Sequence, residues 1–263
     1  MSSNAIMPTH DRILVIGQNY KGTGMTLSGC HNDAGLYFRF FESKVTPETN
    51  PNTTQKIMWL DEPYLITKDG VLRALDWLLS SATVEQFLNP GILSFTQYPL
   101  LQNTRMFLAY AGHGTNVRGK VDRLDQVLVT SRGYVTDDEI NQLFYTKMNS
   151  TSSLFGCIDS CSSGTIGDLR YCMNRPGKTI IDDNHTKNRI IPGRIQLISA
   201  CNDNEQAAES ENGGIFTLTV VEHLQRYPKS STAVMYSKLY DSIMVWGQQP
   251  VITSNVPIAR ILV

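Results

Sequence analysis

The sequence predicts an α/β fold in three layers, a mostly parallel central sheet with helices on both faces. Two observations carry the prediction. Four short runs, at 12–17, 106–110, 153–158 and 195–200, are rich in branched and aromatic residues and apolar almost without alternation. Strands covered on both faces read this way, whereas half-exposed strands alternate. Between these runs apolar residues return at helical intervals, and strands alternating with helices build a doubly wound sheet.

Taken in order, the first strand at 12–17 runs into a glycine-rich turn that ends at Gly29, and Leu36 and Phe40 then mark a short helix face. Leu72, Leu75, Leu78 and Leu79 give the clearest helical stripe in the chain. The second strand, 106–110, is followed by Thr136-Asp137-Asp138-Glu139, a capping-box pattern ahead of Ile140, Leu143 and Phe144. Threonine there accepts from the N3 amide while the glutamate reaches back, so a helix is expected to start at that point. The third strand is 153–158. From 172 to 194 Pro, Gly, Asn and scattered Lys/Arg occur with little periodicity, which reads as an exposed connection. The fourth strand, 195–200, precedes a helix marked by Val220 and Leu224. One domain over 1–263 is expected, with a larger part at 1–171, the connector at 172–194 and a smaller part at 195–263.

Bulk properties narrow the function classes. A chain of 263 residues that is 41% hydrophobic can bury a full core. With 23 basic and 24 acidic side chains and no dense Lys/Arg cluster, neither nucleic acid nor a membrane surface is an expected partner. The five cysteines, at 30, 157, 161, 172 and 201, are odd in number and contain no CxxC pair. That argues against a disulfide framework and a thiolate zinc site, and for a reducing compartment. No signal-peptide core and no run of 18 apolar residues is present, so a soluble, cytoplasmic or otherwise intracellular protein is expected, and it is taken to be a monomer without a sequence feature that fixes its oligomeric state.

Two motifs carry chemistry. Ala111-Gly112-His113-Gly114 follows the second strand and Asp159-Ser160-Cys161-Ser162-Ser163 follows the third. In doubly wound sheets the working groups sit beyond the carboxyl ends of the strands, so adjacent strands would bring His113 and Cys161 to one rim. A free thiol, with a reference pKa of about 8.5, is only a few per cent ionised at neutral pH, and the thiolate is the nucleophile. A neighbouring imidazole therefore makes a cysteine-dependent hydrolase. The two residues lie 48 apart, near the spacing of about 50 between the caspase histidine and cysteine, although the caspase signature around the cysteine is absent. Cys30 and Asp33, after the glycine-rich turn, add a third element to the rim. Gly22, Gly24 and Gly29 have the wrong spacing for a phosphate-binding GxGxxG loop.

Seven segments in order resemble the metacaspases, caspase-like cysteine peptidases. Leu14-Val15-Ile16-Gly17-Gln18-Asn19-Tyr20 resembles that family's first strand, Gly29-Cys30-His31-Asn32-Asp33 its GCxND segment and Tyr110 to Gly114 its YSGHG box. Val135 to Glu139 resembles its acidic box, Asp159 to Gly164 its DSCHSG box, Ile198 to Asp203 its small-subunit strand and Gln249 to Ser254 its PQxSS tail. The resemblance implies a caspase-like three-layer sandwich without an N-terminal extension, and His113 and Cys161 as a catalytic dyad. It implies an oxyanion site at the backbone N–H groups of Gly114 and Cys161. It also implies a substrate pocket formed by Cys30, Asp33, Ala111 and Asp159. Two carboxylates in that pocket favour Arg or Lys at the cleavage site of a peptide or protein substrate. Calcium, Ca²⁺, is implied at Asp125, Asp137, Asp138 and Asp168, an oxygen-rich set that suits a hard cation. Self-cleavage is expected in the connector, at Lys178, Lys187, Arg189 or Arg194.

Two positions depart from the family pattern. Ala111 stands where a serine is usual, and Ser162 where a histidine is usual. They leave open a catalytically silent caspase-like module that binds partners or regulates an active relative. A Rossmann-like ligand-binding domain has support from fold class alone. Plainer readings also exist for the acids: Asp33 as a first-turn helix residue, Asp159 as a loop anchor, and Asp137 and Asp138 as residues favoured by a helix dipole. His31, His185 and His223 have no motif around them and read as ordinary surface or helix residues.

Overall fold

Among the described residues eight strands form one sheet, in the spatial order β2 (Gln55–Leu60), β1 (His10–Gly17), β3 (Thr104–Ala111), β7 (Ser153–Asp159), β10 (Arg194–Ser199), β13 (Val251–Ser254), β8 (Tyr171–Arg175) and β9 (Lys178–Ile181). In the computed structural model residues 10–45, 54–62, 65–81, 102–118, 124–181, 189–203, 205, 207, 209–210, 213–227 and 231–258 are described. Five of the strands run parallel: β1 (His10–Gly17), β2 (Gln55–Leu60), β3 (Thr104–Ala111), β7 (Ser153–Asp159) and β10 (Arg194–Ser199). The four apolar runs of the sequence are the central members of this set. Antiparallel strands β13 (Val251–Ser254), β8 (Tyr171–Arg175) and β9 (Lys178–Ile181) extend the sheet on one side.

Successive side chains on a strand face opposite ways, and both faces are covered. Ile13, Val15, Phe107, Ala109, Phe155 and Cys157 pack with α1 (Cys30–Glu42), α4 (Ile215–Arg226) and α5 (Thr232–Met244). Leu14, Ile16, Met106, Leu108, Tyr110, Leu154 and Ile158 pack on the other side with α2 (Lys68–Leu79) and α3 (Asp137–Lys147). The near-continuous apolar character of the runs is the consequence of these two cores. The capping box at α3 is complete, with Thr136 accepting from the Glu139 amide and Glu139 accepting from the Thr136 amide. A small antiparallel sheet, β4 (Gly114–Arg118), β5 (Leu124–Val129) and β6 (Tyr134–Thr136), joins the end of β3 to α3.

One row of the large sheet sets the position of everything that follows. Gly17 pairs with Ala111 and Ala111 pairs with Asp159, so β1, β3 and β7 end side by side. The turn after Gly17, the His113 loop and the Cys161 loop therefore leave the sheet together.

The expected exposed connection at 172–194 is corrected in its first half. Cys172 and Met173 are buried in β8, which pairs with β13, and the chain turns at Gly177, φ 72°, into edge strand β9. A three- to five-residue edge strand has no periodicity to reveal it, because only its pairing partner makes it a strand. Residues 182–188 lie outside the described set. The sheet draws strands from both sides of this stretch.

Candidate active site

A cavity of about 420 Å³ opens at the rim where β1, β3 and β7 end, and Cys30, Asp33, His113, Gly114, Asp159 and Cys161 all line it. Residues from three separated segments thus meet in one place. Ala111, expected on the wall, is buried within β3 between Gly17 and Asp159 and does not line the cavity. It still belongs to the strand and not to the loop beyond it, which the motif alone could not reveal.

His113 is held on three sides. Its ring Nε2 lies 2.7 Å from the carbonyl oxygen of Met25, and the Tyr20 ring packs against it with centroids 4.9 Å apart. Its backbone N–H donates to Tyr20 Oη at 3.0 Å, and Tyr110 Oη donates to its carbonyl at 3.0 Å. Burial holds both tyrosine hydroxyls well above their ordinary pKa, so they act as neutral props. A carbonyl can only accept, so Nε2 must carry the proton. In neutral His113, Nδ1 is then the nitrogen with a free lone pair.

Gly114 is pressed against the Cys161 loop. A Cβ there would collide with the Cys161 carbonyl oxygen and stand 2.9 Å from Ser160 Oγ. Only glycine allows the two motifs to approach this closely. Cys161 itself is partly exposed, and the backbone N–H of Ala207 donates to its sulfur at 3.3 Å. Ser162, with φ 48°, turns the chain sharply after it, and the Ser162 N–H donates to Glu205 O at 3.1 Å. Two other thiols lie nearby but are closed off. Burial and the charge of Asp159 push Cys157 far above the usual thiol range, and burial with the neighbouring Cys161 pushes Cys201 up to about 12. Neither ionises near neutrality, and Cys30, the other thiol on the cavity wall, is 4% exposed, which leaves Cys161 as the more accessible thiol of the cavity.

Asp33 and Asp159 are 2% and 7% exposed and share a second task. Both Asp33 oxygens accept from the Gly214 N–H at 3.0 Å, and Asp159 Oδ2 accepts from Thr217 N at 3.2 Å and Thr217 Oγ1 at 2.5 Å. Gly214 is the N-cap of α4 and supplies no side-chain cap. The two carboxylates therefore satisfy amides at the positive end of that helix while lining the cavity. Gly213 and Gly214 make this possible, because a Cβ on either would overlap Asp33 or Asp159. Sequence reasoning missed this pair, Thr217, Ala207 and the Met25 carbonyl. They lie far along the chain from their partners and carry no local signature. The only available hint was the doubled glycine just ahead of the Val220 and Leu224 helix.

The four acids assigned to calcium share a corner without forming a cage. Asp137 is buried, and its two oxygens already accept the backbone N–H groups of Gln126 and Asp138 at 2.9 and 2.8 Å. Burial, reinforced by Asp125 and Asp138, pushes its carboxyl up to about 6 against the pull of those amides. Asp138 and Asp168 line a neighbouring cavity of about 350 Å³. Among the described residues no three His, Cys, Asp or Glu side chains are grouped as a metal would need. As arranged, these carboxylates do not fit a ready coordination sphere.

His31, read as ordinary, is corrected: its Nε2 lies 2.6 Å from Oδ1 of buried Asp61 at the end of β2.

Comparison with known proteins follows the same lines. The profile described as metacaspase, peptidase C14 domain matches residues 100–170, which span both motifs. Metacaspase-2 of Trypanosoma brucei brucei is 26% identical over 223 residues, covering 78% of this chain and 58% of that protein. Metacaspase-1 of Arabidopsis thaliana is 26% identical over 255 residues, covering 88% of this chain and 63% of that protein. The chain thus spans about three-fifths of the length of these relatives. Among solved structures, caspase-1 from Spodoptera frugiperda superposes with a TM-score of 0.59 at 8% identity, over 97% of this chain and 89% of that one. A Geobacter sulfurreducens protein superposes at 0.61 with 18% identity, over 96% and 98%.

Sheet order, layers and the rim that gathers a thiol and an imidazole define a caspase-like α/β domain. Within that class, the chain is similar to the metacaspases over most of its length.

Proposed function

We propose that the chain is a cysteine endopeptidase that cleaves after Arg or Lys. The observation that carries the proposal is a partly exposed thiol and an oriented imidazole on one cavity that also holds two carboxylates. His113 Nδ1 takes the Cys161 proton, and the sulfur adds to the scissile carbonyl carbon. The resulting oxyanion is held by the N–H groups of Gly114 and Cys161. The intermediate collapses to a thioester as His113 passes its proton to the leaving amine. A water that loses a proton to His113 then adds to the thioester, releasing the carboxylic acid product and restoring the thiol. Asp33 and Asp159 supply the charge that selects a long cationic side chain.

The test uses peptides ending in Arg, Lys or Asp on a fluorogenic amine, with Cys161→Ala as the control. Turnover of the Asp peptide alone would refute the pocket. Equal turnover by Cys161→Ala would refute the nucleophile. A folded wild-type protein that hydrolyses none of them and is not labelled by an Arg-mimicking thiol reagent would instead be a silent regulatory module.

Calcium dependence belongs to the proposal with a condition: Asp125, Asp138 and Asp168 would have to turn toward Asp137. A calcium titration of thermal stability in wild type and Asp137→Ala decides it, since only the wild type should gain. Self-cleavage is proposed at Lys187 or Arg189, because Lys178 and Arg194 are held in paired strands. The five free thiols favour a reducing compartment, and among the described residues no helix is long and apolar enough to cross a membrane.

A further inference from the structure

The imidazole of His113 leans on the turn that follows β1. Both of its outer contacts, the Tyr20 ring and the Met25 carbonyl, come from the segment after β1. Tyr20 sits there with φ 51°, a conformation uncommon for a bulky residue, so something must over-determine it. The turn is partly self-bonded. Tyr20 O accepts from Thr23 N at 3.1 Å and Thr23 Oγ1 at 2.7 Å, and Leu27 N donates to Asn19 O at 2.7 Å. Its start is pinned from outside as well, by the Gln18 N–H on Ala111 O, by the Tyr20 hydroxyl on Val129 O, and by the side chain of Asp61. Asp61 Oδ1 accepts from Asn19 N at 3.0 Å and Oδ2 from Tyr20 N at 2.7 Å.

Asp61 is 7% exposed, and a buried carboxylate is costly unless every lone pair is served. His31, in the first turn of α1, serves it at 2.6 Å. Burial opposes the charge of Asp61, but the Asn19 and Tyr20 amides and the His31 ring outweigh it and hold the carboxyl below its ordinary range. Asp61 therefore stays ionised and keeps both amides. The chain of contacts runs from His31 to Asp61, to the Tyr20 backbone, to the Tyr20 ring and Met25 carbonyl, and ends on His113.

We propose that Asp61 and His31 are positioning residues for His113, a clamp that fixes the turn presenting Tyr20 and Met25 to the imidazole. The inference rests on the peptidase reading for its consequence in turnover, and on geometry alone for its consequence in thiol reactivity. Misplacing a catalytic group by about 1 Å can cost on the order of a hundredfold, so partial loosening here should cost about tenfold.

Three variants and two readouts test it. Asp61→Asn leaves one acceptor oxygen for three donors. His31→Leu removes the support of Asp61, whereas His31→Gln can still donate an N–H to it. For Asp61→Asn and His31→Leu, kcat on an Arg peptide is expected to fall about tenfold with KM little changed, and His31→Gln to retain most of it. Iodoacetamide alkylation of Cys161, followed by peptide mapping from acid to alkaline pH, reports the imidazole without any substrate. In the two damaging variants its rate at neutral pH should fall below that of the wild type. A merely structural role would lower thermal stability without moving that profile. Lys56→Gln, which removes the exposed Lys56–Glu42 pair on the same strand, should change neither readout.

Unchanged kcat and alkylation in folded Asp61→Asn and His31→Leu would overturn the clamp and leave the peptidase reading intact. Wild-type protein that hydrolyses nothing, yet loses thiol reactivity in both variants, would overturn the peptidase reading and support the clamp. If Asp61→Asn does not fold, the His31 pair decides, since that ring is partly exposed and its loss is milder.

Discussion

Gly114→Ala is the sharpest single probe of the site, because its cost can be worked from geometry. The added methyl would overlap the Cys161 carbonyl oxygen and stand 2.9 and 3.1 Å from Ser160 Oγ and Cβ. The principal obstacle is backbone, so no rotamer change relieves it. One loop must retreat, and recovering ordinary contact needs about 1 Å, a displacement that costs on the order of a hundredfold in rate where reacting groups must meet. Overpacking of this kind destabilises by about 1–3 kcal/mol, which in a domain of this size lowers Tm by roughly 2–12 °C. A folded but impaired protein is therefore expected. Steady-state hydrolysis of an Arg peptide should show kcat down about a hundredfold with KM within a fewfold, while a thermal melt shows one cooperative transition. Wild-type kcat in Gly114→Ala would show that the His113 and Cys161 loops need not touch, and the argument for the site would fail.

Three further outcomes follow from the same contacts. Asp159→Asn can still accept from Thr217, so stability should hold while kcat/KM for the Arg peptide falls tenfold or more; unchanged kinetics would reduce Asp159 to a helix cap. Thr136→Ala removes one arm of the capping box and should cost about 1 kcal/mol, a Tm loss of about 2–4 °C by calorimetry. Asp137 gives a pH dependence. Its folded pKa of about 6 exceeds the unfolded value of about 3.9, so both states are protonated below pH ~4 and nothing is lost there. As pH rises toward 6 the unfolded state sheds a proton that the folded state keeps, and above 6 a destabilisation of about 3 kcal/mol persists. Asp137→Asn removes that term but leaves one of two backbone amides without its acceptor, so a net gain of about 1–2 kcal/mol is expected at pH ~8 and none at pH ~4. Denaturant titrations at the two pH values check this, and an equal effect at both would refute it.

Much of the architecture was legible because burial on both faces leaves a local trace. Strands β1, β3, β7 and β10 are continuous apolar runs, and α2 and α3 carry a leucine stripe and a capping box. Strands β8 and β9 left no such trace, since the pairing of β8 with β13 and of β9 with β8 is what makes them strands. The motif around His113 and Cys161 was likewise readable as residue types after strand ends. The turn on which His113 leans was not, and His31 looked ordinary because its partner Asp61 lies 30 residues away.

By itself the sequence determined which residues could do chemistry and which elements would carry them, since composition, periodicity and caps act over a few neighbouring residues. The tertiary structure alone decided that Gly17, Ala111 and Asp159 end in one row, that Ala111 belongs to its strand and not to the loop beyond it, and that Asp33 and Asp159 meet the α4 amides. Strand register and long-range hydrogen bonds depend on segments up to 181 residues apart, and no local pattern encodes a distance between them.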